Sequence, residues 1–226
     1  MATISGSKHQ RVFPLIRHLS ARATPLFLRL PVTPNQITFA ALGLGLAAAW
    51  CISTGRQEHA ILGGVALSLS YVLDNCDGEV ARARNMQSEF GRHLDDVSDW
   101  LVHATIFLAI GQATSEAAGS AIWWWLGLAA AFGATASYLA VRLQDLFAPA
   151  RAPQSPDGDI ALSPPLAAAK DRVIYIFREL FRADFCFIVL ALALVDALWL
   201  LLPLGAVGSQ VYWLAAFAKG ARDYHV

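Results

Sequence analysis

The sequence predicts an all-α fold, a polytopic membrane helix bundle of six transmembrane helices behind an N-terminal interfacial amphipathic helix. Three observations predict it. Hydrophobic residues make up 56% of the 226 residues and charged residues only 15%, an apolar excess too large for an ordinary soluble domain of this size. The apolar residues fall in long runs separated by short polar turns. Every Lys and Arg except Arg56 lies at a terminus or in alternate connections between those runs, so the positive-inside rule places both termini in the cytoplasm and requires an even number of spans.

Residues 1–31 form an N-terminal segment and 32–226 the membrane domain. From Val12 to Leu30, apolar residues alternate with Arg17, His18, Arg22 and Arg29, too charged a mixture to span but suited to an interface with anionic headgroups, or to packing on the cytoplasmic ends of the bundle. Thr33-Pro34-Asn35 reads as a helix start before the first span, Ile37 to Ser53. Gly55 to His59 is a polar turn. The second apolar run, from Ala60 to Asp74, is about fourteen residues and too short to span alone, so its helix must carry the acidic residues that follow. Asp74 then lies roughly 20 Å along that helix, sunk into the membrane near one face.

A third span begins with the second acidic turn and runs to Gly111, and a fourth runs from Ala121 to Val141, with Trp123 to Trp125 suited to an aromatic belt. The proline-rich stretch 145–165 reads as an irregular loop and Lys170 to Arg182 as an amphipathic helix. The fifth span is Phe185 to Leu202, burying Asp196, and Leu204 to Gln210 reads as a turn before a short sixth span ending at Lys219. Without that last segment the bundle has five spans. Cys51, Cys76 and Cys186 form no metal or disulfide spacing and read as reduced, buried residues. Zero net charge gives no support for a nucleic-acid partner, and none is expected.

The chemistry concentrates in Asp74-Asn-Cys-Asp77-Gly78-Glu-Val-Ala81-Arg82 and Gly91-Arg-His-Leu-Asp95-Asp-Val-Ser-Asp99. Asp74 and Asp77 are three apart and Asp95 and Asp99 four apart, so each pair shares one face of one helical turn. Two antiparallel helices joined by a short loop bring Asp77 toward Asp95 and Asp74 toward Asp99. Four carboxylates beside apolar helices require cations, and an all-oxygen set suits Mg2+ or Mn2+. Two such ions can neutralise a pyrophosphate, activate an attacking oxygen and stabilise a leaving phosphate. Gly78 and Ala81 leave room for a nucleotide against the helix, and Arg82 has the donor fork to grip phosphate. Glu79 and Arg84 read as a pair, as residues that orient the cavity rim, or as structural charges, Asp96 as a cap or ion-pair partner, and His103 as a hydrogen-bond partner of Asp99 or a packing histidine.

The pattern D-x2-D-G-x2-A-R-x8-G-x3-D-x3-D resembles the signature of the CDP-alcohol phosphotransferase family at every fixed position. That resemblance implies a multi-span membrane enzyme, often a homodimer, moving a substituted phosphate from a CDP-linked alcohol donor to an acceptor hydroxyl and releasing CMP. It implies Asp74, Asp77 and Asp95 as metal ligands and Asp99 as a further ligand or the general base. It places Asn35 beside the cytidine, although a helix cap explains that residue as well. Ser137-Tyr138-Leu-Ala-Val-Arg142 is similar to a Ser-Tyr-x-Arg-Ala-Arg segment of members that bind phosphorylated acceptors, with the first arginine replaced by Ala140. Arg142, Lys170 and Arg172 are then an anion pocket for the acceptor, or ordinary cytoplasmic anchors. Two other functions compete: a transferase using a soluble CDP-linked polyol, and a divalent-cation transporter. Formation of CMP separates the enzymes from the transporter.

Overall fold

The computed structural model describes residues 15–147 and 184–223, and the protein is all-helical throughout them. The expected anion-pocket residues Lys170 and Arg172, and the helix expected from Lys170 to Arg182, lie outside the described residues.

Helix α1 spans Leu15–Phe27 and buries Ile16, Ser20 and Thr24, one residue per turn, against the bundle. Leu15, Leu19 and Leu26 remain exposed along one edge, beside exposed His18 and Arg22. Helix α2, Pro34–Ser53, starts as expected: the Thr33 side chain accepts from Gln36 N, the Gln36 side chain accepts from Thr33 N, and Pro34 opens the helix. It is the one helix among the described residues long and apolar enough to cross a membrane.

Helix α3 runs without a break over Gln57–Ala83 and carries Asp74 and Asp77 inside it. Helix α4, Glu89–Ala118, is capped by the Ser88 hydroxyl, which accepts from Gly91 N at 3.0 Å, and ends on Gly119 in the left-handed conformation at φ 59°. Helix α5 covers Ile122–Phe147.

The last part of the chain departs from expectation. Helix α6 ends at Leu194 rather than Leu202, a short 3-10 turn covers Leu198–Leu200, and α7 runs from Leu201 to Asp223. Asp196 occupies the break between them, exposed and left-handed at φ 54°, and is not buried in a span. The stretch from Leu204 to Gln210, expected as a turn, is helical.

Helix α2 packs along both α3 and α4, α4 along α5, α5 along α7, and α3 along α6 and α1. By contrast, α3 and α4 make little direct backbone contact although they are sequence neighbours. The interior combines Ala48, Ile52, Leu67, Ile106, Val189 and Leu202 in one apolar core. Close approaches are made at glycine: a methyl group built on Gly127 would meet the Phe107 carbonyl at 2.8 Å, and one on Gly64 would meet Leu190 Cα at 2.9 Å. At one end of the bundle, Arg56, Ala117, Asp196 and Trp199 line a common pocket. The turns that carry the acidic motif lie at the other end, where Asn35 faces Gly91 and Arg84 reaches the Val32 carbonyl.

Candidate metal centre

Between α3 and α4, which make little direct contact, lies a narrow cleft lined by Asp74 and Asp99 with Ser70, Tyr71 and Ser98. Carboxylate oxygens of Asp74, Asp77 and Asp95 lie within 4.8 Å of one another, with Asp77 buried and the other two half-buried. Three like charges that close in a partly desolvated cleft repel strongly, and a hard divalent cation with oxygen ligands is the counter-charge they suit. The donor set therefore fits one divalent-cation site.

Asp77 is held by a neighbour that inspection of the motif alone did not single out. The Thr38 hydroxyl of α2, itself buried, donates to Asp77 Oδ2 and also lies 3.2 Å from the Pro34 carbonyl. This contact fixes one oxygen of the carboxylate. Beneath this contact Ile37, Cys76 and Val80 form a small apolar cluster with Ala23 and Phe27 of α1.

Asp99 is one turn beyond Asp95 on α4 and stands outside the three-carboxylate group. Its residue is exposed, and it shares a small cavity with Asp74, Ser70, Tyr71 and Ser98. The Ser98 hydroxyl is buried there without a hydrogen-bond partner.

On the expected nucleotide face, the Arg82 guanidinium lies over Gly78. A methyl group built on Gly78 would meet only the far end of the Arg82 guanidinium, at 3.3 Å, and Arg82 is exposed. Asn35 is half-buried in the first turn of α2 with its Oδ1 3.2 Å from a methyl built on Gly91, which puts it beside the α4 start. Ala81 is half-buried on the same helix as Gly78.

Other expectations need correcting. Glu79 and Arg84 do not pair with each other. Glu79 accepts from the Ser20 and Thr24 hydroxyls of α1 at 2.7 and 2.6 Å. Arg84 donates to the carbonyls of Phe27, Leu30 and Val32 and so closes the C-terminal end of α1. Both residues dock α1 on α3 rather than shaping the rim. His103 reaches Asp99 through the backbone, with Nδ1 2.8 Å from its carbonyl, while Nε2 lies 2.9 Å from the Tyr71 hydroxyl.

Asp96 forms the ion pair expected of it, 3.0 Å from Arg142 of α5 and 3.6 Å from Arg92. Arg142 lies over the Tyr138 ring at 5.4 Å, and Tyr138 stacks on Trp100, so a polar and aromatic column joins α5 to the acidic turn of α4. At the α4 start, hydrogen bonding to Arg92 holds the Glu89 carboxyl below its usual range.

Several of these partners had a signal in the sequence. Tyr71 precedes Asp74 by one turn and His103 follows Asp99 by one turn, so the antiparallel register that pairs the acids extends to them. Thr38 had no such signal, because its contact joins residues 39 apart on helices whose packing angle the sequence does not state.

The model of the CDP-alcohol phosphatidyltransferase family matches residues 31–218. The chain is 31% identical over 134 residues to the bifunctional IPC transferase and DIPP synthase of Thermococcus kodakarensis, covering 59% of this chain and 29% of that protein. It is 32% identical over 100 residues to the archaetidylinositol phosphate synthase of Pyrococcus horikoshii, covering 44% of this chain and 52% of that one. With the phosphatidylinositol phosphate synthase of Corynebacterium glutamicum it shares 34% identity over 102 residues, covering 45% and 40%. The matches therefore span between 29% and 52% of the length of these curated relatives.

Proposed function

The chain belongs to the CDP-alcohol phosphatidyltransferase family, and from that premise we propose that it transfers a phosphatidyl-type substituted phosphate from a CDP-alcohol such as CDP-diacylglycerol to an acceptor alcohol, releasing CMP. The observation that carries this reading is the group of Asp74, Asp77 and Asp95 in the cleft between α3 and α4. A phosphorylated polyol is the acceptor we favour, because two of the similar proteins are named archaetidylinositol phosphate synthase and phosphatidylinositol phosphate synthase.

Asp74, Asp77 and Asp95 hold a divalent cation, Mg2+ or Mn2+, and Asp99 completes a site for a second ion or serves as the base. Bound ions would supply charge neutralisation at the pyrophosphate and at the leaving phosphate. The chain does the rest. Arg82 and the face at Gly78 and Ala81 receive the nucleotide, with Asn35 at the cytidine side. Thr38 fixes the Asp77 carboxylate. The acceptor oxygen forms a bond to the phosphorus bearing the donor alcohol, its proton passes to the Asp99 carboxylate, and the bond to CMP breaks.

Arg142, with Lys170 and Arg172, binds the acceptor's phosphate once Asp96 yields the guanidinium. In the same reading, residues 32–226 form a six-span membrane domain behind the segment 1–31, acting as a homodimer with both termini and the cleft on the cytoplasmic side. Helix α2, long and apolar enough to cross a membrane, supports the membrane placement, and the one-sided distribution of basic residues supports the orientation.

The test is CMP release by purified protein with Mg2+ or Mn2+, CDP-diacylglycerol and a panel of inositol, inositol phosphate and glycerol 3-phosphate. CMP formation with one of these acceptors is the expected result. No CMP with any of them, but CMP with a soluble CDP-linked polyol, would replace the donor. No CMP from either donor class would remove the enzymatic reading.

A further inference from the structure

We propose that Tyr71 and His103 form a positioning pair that sets the spacing of the two acidic turns across the cleft. This inference rests on the metal-centre reading above.

The two helices that carry the acids make little backbone contact with each other, because α2 packs along both and holds them apart. The distance between Asp74 and Asp77 on one side and Asp95 on the other is therefore not fixed by close packing of α3 on α4. A cation needs its oxygen ligands at distances defined to a few tenths of an ångström, so something must set that gap. The Tyr71–His103 hydrogen bond spans it, at 2.9 Å from Oη to Nε2.

Its place in the register suits the task. Tyr71 is one turn before Asp74 on α3, and His103 one turn after Asp99 on α4. Both side chains thus lie on the helix faces that present the acids, as the next rung toward the bundle interior. Each partner is itself constrained. The Asp99 carbonyl can only accept, so His103 Nδ1 donates to it at 2.8 Å, and in the neutral ring Nε2 is left to accept from the Tyr71 hydroxyl. The His103 ring also stacks on Phe185 of α6, with centroids 5.6 Å apart and planes at 25°. The bond therefore ties α3, α4 and the backbone of Asp99 into one unit under the carboxylates. Neither residue belongs to the carboxylate group, and the effect of the bond passes through the ligands' positions.

Two variants test this by Mn2+ binding, read from the loss of the free-ion signal in electron paramagnetic resonance. Tyr71→Phe removes one hydroxyl, and His103→Phe keeps a ring against Phe185 while removing both hydrogen bonds. Each should weaken Mn2+ binding by about tenfold, the lower end of what outer partners of metal ligands contribute. The double variant should bind no worse than the weaker single one, since the Tyr71–His103 bond is lost in all three. Thermal unfolding in chelator should change little between Tyr71→Phe and the parent protein.

Mn2+ affinity within twofold of the parent in both singles would overturn the proposal. So would losses that multiply in the double variant and track a fall in melting temperature, which is the pattern of ordinary packing. If the parent itself binds no Mn2+, the metal-centre reading fails first and takes this one with it.

Discussion

Thr38 donates its hydroxyl to Asp77 across the α2–α3 interface, and both residues are buried there. A carboxylate with one oxygen engaged by a neutral donor keeps its charge and loses its freedom to rotate, which is the condition for a preorganised ligand. Thr38→Val keeps the shape and removes the donor. The variant should need about tenfold more Mg2+ or Mn2+ for half-maximal CMP release, whereas Thr38→Ser should behave as the parent. Equal metal dependence in Thr38→Val and the parent would mean that Asp77 is held by its helix alone.

Arg142 of α5 offers a guanidinium toward α4, but Asp96 already occupies it at 3.0 Å. An acceptor phosphate has to compete with that carboxylate. Asp96→Asn should therefore lower the KM for a phosphorylated polyol severalfold, and Arg142→Gln should raise it, both with the donor KM unchanged. Initial rates of CMP release against acceptor concentration decide this. An acceptor KM that moves in neither variant would leave Arg142 a purely structural bridge between α4 and α5.

The acidic pairs were legible because helical spacing alone decides which residues share a face, and Asp74, Asp77 and Asp95 do converge. The start of α2 was legible too, since Thr33 is a local signal, but α4 begins at Glu89, ahead of the acidic turn with which the third span was expected to begin. What the sequence could not show is contact between distant segments. Glu79 and Arg84 look like rim charges until α1 is laid against α3, 55 or more residues earlier in the chain, where they bond Thr24 and Phe27. The boundary of α6 and α7 was misplaced for a different reason. Gly205 and Gly208 suggest a turn by propensity, but inside a packed helix a glycine can serve close approach, and Gly205 sits against the Phe107 ring. The real break is at Asp196, an acidic residue that the apolar run around it concealed.

The α4–α5 crossing has no slack. A methyl on Gly127 would sit 2.8 Å from the Phe107 carbonyl and 3.0 Å from Gly111 Cα, and backbone cannot yield as a side chain does. Gly127→Val should destabilise the protein by about 1–3 kcal/mol, seen as a lower melting temperature in detergent. Gly43→Val, with nothing within 4 Å of the added Cβ, is the matched control and should melt close to the parent. Equal melting of both variants would contradict the close crossing.

Asp184 is fully buried and accepts from both Leu15 N and Ile16 N at 2.9 Å, so it caps α1 from across the chain. Asp184→Ala leaves two donors without that partner and removes the anion from a helix N-terminus. Loss of about 1–3 kcal/mol and faster amide exchange across Leu15–Phe27 should follow, because that cap closes one end of α1 as Arg84 closes the other. Unchanged exchange in α1 would show that Glu79 and Arg84 hold the helix without it.

Asp99 separates two roles that its neighbours combine. Asp77 and Asp95 belong to the three-carboxylate group, and Asp99 stands one turn beyond it, beside Asp74 in the smaller cavity. If it takes the acceptor's proton, Asp99→Asn should lower kcat by about a hundredfold or more while Mn2+ binding stays within a few fold of the parent. Asp77→Asn and Asp95→Asn should lose binding and turnover together. The comparison is made on one preparation, with Mn2+ bound measured by free-ion resonance and turnover by CMP release. Should Asp99→Asn lose Mn2+ as severely as Asp95→Asn, then Asp99 is a ligand, and the proton must leave by another group. Should it turn over at the parental rate, Asp99 has no part in the transfer.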